Sequence, residues 1–144
     1  MKKRGITNQL KMCIPALSVN EGACRAMIAA FCSQLDPNIE ELSDIKCAVS
    51  EAVTNCIVHA YSERGGLIYI TVKLYDSREI KITVRDRGCG IPDVKQARAP
   101  LYTTGSREER SGMGFTVMES FTDKLEVSSR VGAGTRVTMT KQLL

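Results

Sequence analysis

The run Ser50-Glu-Ala-Val-Thr-Asn-Cys-Ile-Val-His-Ala-Tyr61 places Glu51, Asn55 and His59 at strict four-residue intervals, and His59 is the chain's one histidine. On an α-helix, residues four apart lie about 40° from each other around the axis, so a carboxylate, an amide and an imidazole share one stripe. The ordinary use of a polar stripe is contact with solvent, yet Glu and Lys serve that purpose better, and Asn is a poor helix-interior residue. The pair has a natural joint use. Mg²⁺ takes oxygen ligands and keeps waters, so the amide oxygen of Asn55 together with substrate phosphates can hold it. A carboxylate one turn away, at Glu51, can deprotonate a hydroxyl that attacks a phosphate.

Two glycine patterns extend the theme. Asp86-Arg-Gly-Cys-Gly90 follows an alternating apolar run. By itself it reads as a turn, but Gly88 and Gly90 also let backbone approach a flat ligand. The Asp86 carboxylate can accept a hydrogen bond from an exocyclic amino group. Ser111-Gly-Met-Gly-Phe115 precedes a helical stretch. Glycines there leave the first N–H groups free to face an anion. Arg107 and Arg110 lie just upstream and can add charge-assisted contacts. Gly132-Ala-Gly134-Thr135, between two alternating runs, reads as a hairpin turn.

Elements must hold these residues in place. Ile6 to Ala16 reads as a strand, with Pro15 limiting its pairing. Ser18-Val-Asn-Glu21 has the capping-box pattern and predicts a helix over Val19 to Leu35 whose apolar face is Ala23, Met27, Ala30 and Phe31. Asp36-Pro-Asn38 ends it. A second helix is predicted from Glu40 to Tyr61, with Ile45, Ala48, Val49, Ala52, Val53, Cys56, Ile57 and Ala60 toward the core. After a turn at Glu63 to Gly66, Leu67 to Tyr75 and Glu79 to Arg85 alternate and predict an antiparallel hairpin. Asp86 to Gly114 reads as a long functional loop. A short helix over Gly114 to Phe121 and strands over Glu126 to Ser129 and Arg136 to Leu143 complete the chain. Strands and helices are segregated, so the expected class is α+β: a two-layer sandwich of one mostly antiparallel sheet covered on one face by helices.

Composition narrows the alternatives. A chain of 144 residues with 43% hydrophobic and 25% charged residues is expected to form one domain, spanning 1–144, with an adequate core. The net charge of +4 comes from basic residues scattered along the sequence. No basic block interleaves with aromatics, so direct nucleic-acid binding is not expected. The six cysteines form no Cys-x-x-Cys pair, and most have apolar neighbours. They read as reduced, mostly buried thiols of a cytoplasmic protein rather than as disulfides or a metal site. No signal peptide or membrane span is expected.

Each motif is ambiguous alone, but their order is specific. Glu-x-x-x-Asn on a helix, Asp-x-Gly-x-Gly after a strand, Gly-x-Gly opening a helix and Gly-x-Gly-Thr in a late hairpin resemble the ATP site of the GHKL superfamily (gyrase-type and histidine-kinase-type ATPases). Ser50 to Asn55, Pro100-Leu-Tyr-Thr-Thr104 and Glu109 to Phe115 are similar to the anti-sigma serine kinases of spore-forming bacteria, and the likeness covers nearly the whole chain. The resemblance implies the GHKL (Bergerat) ATP-binding fold, with ATP and Mg²⁺ as cofactors. It also implies Glu51 as general base, Asn55 as metal ligand, and Asp86, with Gly88 and Gly90, at the adenine. Thr103, Thr104 and Arg110 match lid residues; Gly112, Met113 and Gly114 match the phosphate cradle; Thr135 matches the threonine closing the adenine end. His59 is read as a hydrogen-bonding support. Implied partners are a sporulation-type sigma factor and an anti-anti-sigma protein phosphorylated on serine, both contacted by Arg25, together with a second copy in a homodimer. The lid departs from the family at Gly105-Ser106, where members often carry Lys-Pro, so a positive contact is missing there. A general-stress anti-sigma kinase would have the same chemistry. A histidine-kinase catalytic domain would need a phosphoacceptor histidine elsewhere than in the site. A nucleotide-gated binding module would have no need of Glu51.

Overall fold

The computed structural model describes residues 5–62, 64–99 and 114–144. Five antiparallel strands form one sheet in the order β1-β2-β3-β5-β4: β1 (Ile6–Pro15), β2 (Leu67–Tyr75), β3 (Glu79–Arg85), β4 (Lys124–Arg130) and β5 (Gly134–Gln142). Pro15, which has no N–H for a ladder, lies at the end of β1, an edge strand. The β2–β3 hairpin keeps the predicted bounds, whereas β4 and β5 reach closer to their connecting turn than alternation alone predicts. One face of the sheet is apolar. Ile68, Ile70, Val72, Leu74, Ile80, Ile82, Val84, Val137 and Met139 are buried in one core with residues of α1 (Glu21–Cys32), α2 (Ile39–Asn55) and α4 (Gly114–Phe121). The two-layer α+β sandwich is therefore the fold. The long loop holds one further helical turn, α3 (Val94–Ala97), capped by Asp93, whose carboxylate accepts the Gln96 N–H at 3.0 Å. Glu63, in the predicted turn, lies outside the described residues.

The first helix differs from expectation in its cap and its face. Ser18 to Asn20 form a separate 3₁₀ turn, and Ser18 makes no capping hydrogen bond. Glu21, the other half of the supposed box, is engaged by Arg25, whose Nη1 donates to both carboxylate oxygens at 3.0 and 3.2 Å. The buried stripe of α1 is Cys24, Ile28, Ala29 and Cys32; Ala23, Met27 and Ala30 are exposed and Phe31 only half-buried. Both stripes have helical spacing, and the small thiols of Cys24 and Cys32 pack more closely on α2 than the Met side of the helix would.

The reciprocal cap occurs instead at α2. Asn38 Oδ1 accepts the Glu41 N–H at 2.7 Å, and the Asn38 N–H donates to Glu41 Oε1 at 2.9 Å. The second oxygen of Glu41 accepts the Leu144 N–H at 2.9 Å, tying the last residue to the start of α2. Backbone N–H groups of Asn38 and then Leu144 hold the Glu41 carboxyl below its ordinary value. Asn38→Ala is expected to lower unfolding free energy by about 1 kcal/mol, readable in a denaturant titration, while Asn38→Asp keeps most of it.

Half of the cysteines are not buried. Cys13, Cys47 and Cys89 are exposed, against Cys24, Cys32 and Cys56 in the core, and none is in a disulfide. The exposed three lie on the outer strand face, on the outer side of α2 and in the Asp-Arg-Gly-Cys-Gly loop, where the chain direction rather than the apolar neighbour in sequence decides exposure. Burial pushes the Cys32 thiol up to about 12. Among the described residues, no helix is long and apolar enough to cross a membrane.

Candidate nucleotide site

The far end of α2 carries Glu51 and Asn55, both half-buried. They face the start of α4: a β-carbon added at Gly114 would lie 3.2 Å from Asn55 Oδ1 and 3.5 Å from Glu51 Oε2. Three residues from two sequence motifs are thus brought together. Burial raises the Glu51 carboxyl, and the negative charge of Glu21 raises it further. Arg25 reaches from α1 to the same place, donating to Ser50 Oγ at 3.2 Å as well as to Glu21. The residue expected at a partner surface therefore touches Ser50, the neighbour of Glu51 on α2.

Beyond Asn55 the helix changes pitch. Cys56–Ala60 form a π turn, closed by the Tyr61 N–H donating to the Cys56 carbonyl at 3.1 Å. A π turn takes more residues per revolution than an α turn and is frequent at functional sites. His59 lies within this π turn. Its carbonyl accepts the Cys89 thiol at 3.5 Å, so this turn supports the loop that follows β3.

That loop is held at almost every residue. Arg87 N–H donates to Tyr61 Oη at 2.7 Å, and Tyr61 in turn donates to the Leu67 carbonyl at 2.6 Å. Cys89 N–H donates to the Ala60 carbonyl at 3.0 Å, and the Cys89 carbonyl accepts the Gly132 N–H at 2.9 Å. Side chains at Gly88 and Gly90 would collide with the carbonyl oxygens of Ala60 and Arg130, and Gly90 has φ of 77° besides. Close packing of the loop on the π turn and on the end of β4 requires both glycines, whatever ligand lies above them.

Asp86 is buried at 5% exposure. Its Oδ1 accepts the Gly88 N–H at 2.9 Å and the Thr135 N–H at 3.1 Å, and its own N–H donates to the Thr135 carbonyl at 2.9 Å. The Cys56 thiol also interacts with the carboxylate. Burial raises the Asp86 carboxyl; the Gly88 and Thr135 N–H groups and Cys56 oppose that rise. Burial, then the Asp86 charge, raises the Cys56 thiol, so it stays a neutral donor. Oδ1 is engaged by the Gly88 and Thr135 N–H groups, and the carboxylate, with about four lone-pair sites, retains acceptor capacity for a ligand. A buried carboxylate shaped in this way suits an amino group of a base.

The structure brings Glu51, Asn55 and Gly114 together in one group, and Asp86, Gly88 and Thr135 in another, with Gly90 packed on the end of β4. Thr103, Thr104, Arg110, Gly112 and Met113 lie outside the described residues. Among the described residues no three His, Cys, Asp or Glu side chains are placed to hold a metal ion. The oxygen of Asn55 fits Mg²⁺ only as one ligand beside phosphates. Sequence reasoning missed Tyr61, Cys56, Ser50 and Ser129, which position the loop and the carboxylates. The polar residue Ser129 on the inward side of β4, at odds with the apolar alternation of Leu125 and Val127, was the available signal.

An open antiparallel sheet with helices on one face, a Glu–Asn pair on a helix and a buried Asp after a central strand define an ATPase domain of the histidine-kinase type. Residues 14–141 match the family described as histidine kinase-like ATPase domain. The chain is 53% identical over 136 residues to the anti-sigma F factor of Caldanaerobacter subterraneus, covering 94% of each. It is 49% identical over 137 residues to that of Bacillus licheniformis, covering 94% of this chain and 93% of the relative. A solved structure of RsbU and RsbW domains from Mycobacterium tuberculosis superposes with a TM-score of 0.69 at 20% identity, over 95% of this chain and 33% of that one, a likeness of fold. The chain belongs to the anti-sigma F factor family.

Proposed function

We propose that the chain is an ATP-dependent protein serine kinase that sequesters a sporulation sigma factor and phosphorylates a serine of the anti-anti-sigma protein that displaces it. The observation that carries this reading is the meeting of Glu51, Asn55 and Gly114, together with a buried Asp86 held by the Thr135 N–H. When bound, Mg²⁺-ATP supplies the transferable phosphoryl group. The chain's own residues then divide the work. Asp86 accepts from the base, and Thr135 closes that end. Asn55 contributes one oxygen to the metal. Glu51, with its carboxyl raised by burial and Glu21, accepts the proton of the attacking serine hydroxyl. Thr103, Thr104 and Arg110 serve as lid residues, and Gly112, Met113 and Gly114 cradle the phosphates. The anti-sigma F names of the relatives support the sigma-factor partner.

Arg25 gives partner and site a common element, because its guanidinium lies against Glu21 and Ser50 beside the base. A second copy of the chain completes the reading. Leu17 and Val19, just before α1, and Met27, within it, are 50%, 83% and 48% exposed, apolar surface suited to a homodimer contact. The setting is cytoplasmic, where the sigma factor works.

The test is capture of the cognate sigma factor on immobilised protein with and without ATP. Capture by the wild type should depend on ATP. Arg25→Ala should weaken it at least about tenfold while leaving ATP affinity unchanged. Full capture by Arg25→Ala rejects the assignment of that residue, and no capture under any nucleotide condition rejects the anti-sigma reading.

A further inference from the structure

Ser129 lies on β4, with its side chain on the Asp86 side of the sheet, and its hydroxyl has three partners. The Ile91 N–H donates to it at 2.7 Å, it donates to the Gly134 carbonyl at 3.1 Å, and Thr135 Oγ1 lies 2.8 Å away. A serine hydroxyl has one proton and two lone pairs. The Gly134 carbonyl can only accept, so it takes the one proton. The Ile91 N–H takes one lone pair. The remaining contact is satisfied if Thr135 donates its own proton to the second lone pair of Ser129. In that arrangement all three contacts are hydrogen bonds, and Thr135 turns an oxygen with lone pairs only toward its other neighbours.

We infer that Ser129 is a positioning residue that fixes the direction of the Thr135 hydroxyl and thereby makes the site select adenine over guanine nucleotides. This rests on the reading of the site as a nucleotide site. Beside Thr135, the Asp86 carboxylate is also an acceptor, its Oδ1 receiving the N–H groups of Gly88 and Thr135 itself. The wall made by the two side chains offers acceptors and no side-chain donor. An amino edge, as adenine presents, pairs with it. A carbonyl edge, as guanine presents at O6, meets lone pairs, and a site built to pair one group rejects an analogue that leaves its buried polar atoms unpaired. Without Ser129, the Thr135 proton is free to turn and donate to such a carbonyl. The carboxylate alone would then carry the discrimination. Ser129 also binds the Ile91 N–H, so the same hydroxyl joins the end of the Asp-Arg-Gly-Cys-Gly loop to the β4–β5 turn.

The experiment measures dissociation constants of ATP and GTP for wild type, Ser129→Ala, Ser129→Thr and Thr135→Val, by titration calorimetry with Mg²⁺ present and no protein substrate. The wild type should prefer ATP. In Ser129→Ala the ratio of GTP to ATP constants should shrink about tenfold, chiefly through tighter GTP binding. Ser129→Thr, which keeps the hydroxyl, should restore the ratio. Loss of packing alone would weaken both nucleotides in parallel and leave the ratio standing, and that result overturns the inference. If Ser129→Ala fails to fold, Thr135→Val serves: its ratio should shrink through weaker ATP binding, and an unchanged ratio is equally fatal. A wild type that prefers ATP beside an unaltered Ser129→Ala ratio refutes the role of Ser129 alone. A wild type that binds neither nucleotide refutes the nucleotide site and this inference together.

Discussion

Glu51→Gln is expected to lower phosphoryl transfer by about 10²- to 10⁴-fold, the usual contribution of a positioned general base, while ATP affinity is unchanged and the fold gains stability. The first part follows from placement, since the carboxylate faces the start of α4 beside Asn55. The last part follows from the direction of its titration. Burial, then Glu21, raises the folded-state carboxyl above its ordinary 4.5, so the folded chain binds that proton more tightly than the unfolded chain. Ionisation in the folded state is therefore a stability penalty, present at pH above the raised value and relieved as pH falls through it. Gln removes the charge and the penalty with it, so the melting temperature at neutral pH should rise. The residual transfer activity should also lose its acid limb, which in the wild type should lie above the range of an unperturbed glutamate. A variant that is inactive because it is unfolded would melt lower, which separates the two causes.

Asp86→Asn and Asp86→Ala should part company. The amide oxygen of Asn can still accept the Gly88 and Thr135 N–H groups that now bond Oδ1. The fold should therefore hold, and loss of a buried charge offsets part of any change. An NH₂ group then takes the place of a carboxylate oxygen, so the amino group of a base meets a donor. ATP affinity should fall roughly 10- to 100-fold, the scale of a hydrogen bond to a charged group. Ala removes the acceptor altogether and leaves two N–H groups in a buried setting without it, at about 1–3 kcal/mol for each. Asp86→Ala should thus lose both ATP binding and several degrees of melting temperature, whereas Asp86→Asn loses binding alone. Equal melting temperatures for the two variants would show that Oδ1 does not hold the loop.

Local patterns predicted what is locally determined. The β2–β3 hairpin alternates residue by residue and is flanked by turn residues, so its bounds are legible. The core side of α2 has an apolar repeat with no rival, and Ile45, Val49, Ala52 and Val53 are buried as expected. On α1 two stripes of similar hydrophobicity compete, and only packing against α2 decides between them. Two capping boxes were also on offer. Asn38-x-x-Glu41 fits the pattern as well as Ser18-x-x-Glu21, but the Pro37 before it reads first as a turn, and Glu21 is taken by Arg25. The π turn that holds His59 has no sequence signature beside its loop contacts. Glu51, Asn55 and Asp86 stand out by type and spacing. Tyr61 and Cys56 do not, and Ser129 shows only as a break in the apolar alternation of β4; Tyr61 meets Arg87 26 residues away and Ser129 meets Ile91 38 residues away, and such contacts exist only after the sheet forms.

The most direct measurement follows the γ-phosphate. The protein is mixed with γ-labelled Mg²⁺-ATP and the unphosphorylated anti-anti-sigma protein of the same cell, and the label is traced by acid treatment and peptide mapping. An acid-stable label on one serine of that partner, formed by the wild type and not by Glu51→Gln, is the predicted result. An acid-labile label, label retained on the chain itself, or equal transfer by Glu51→Gln would contradict the account.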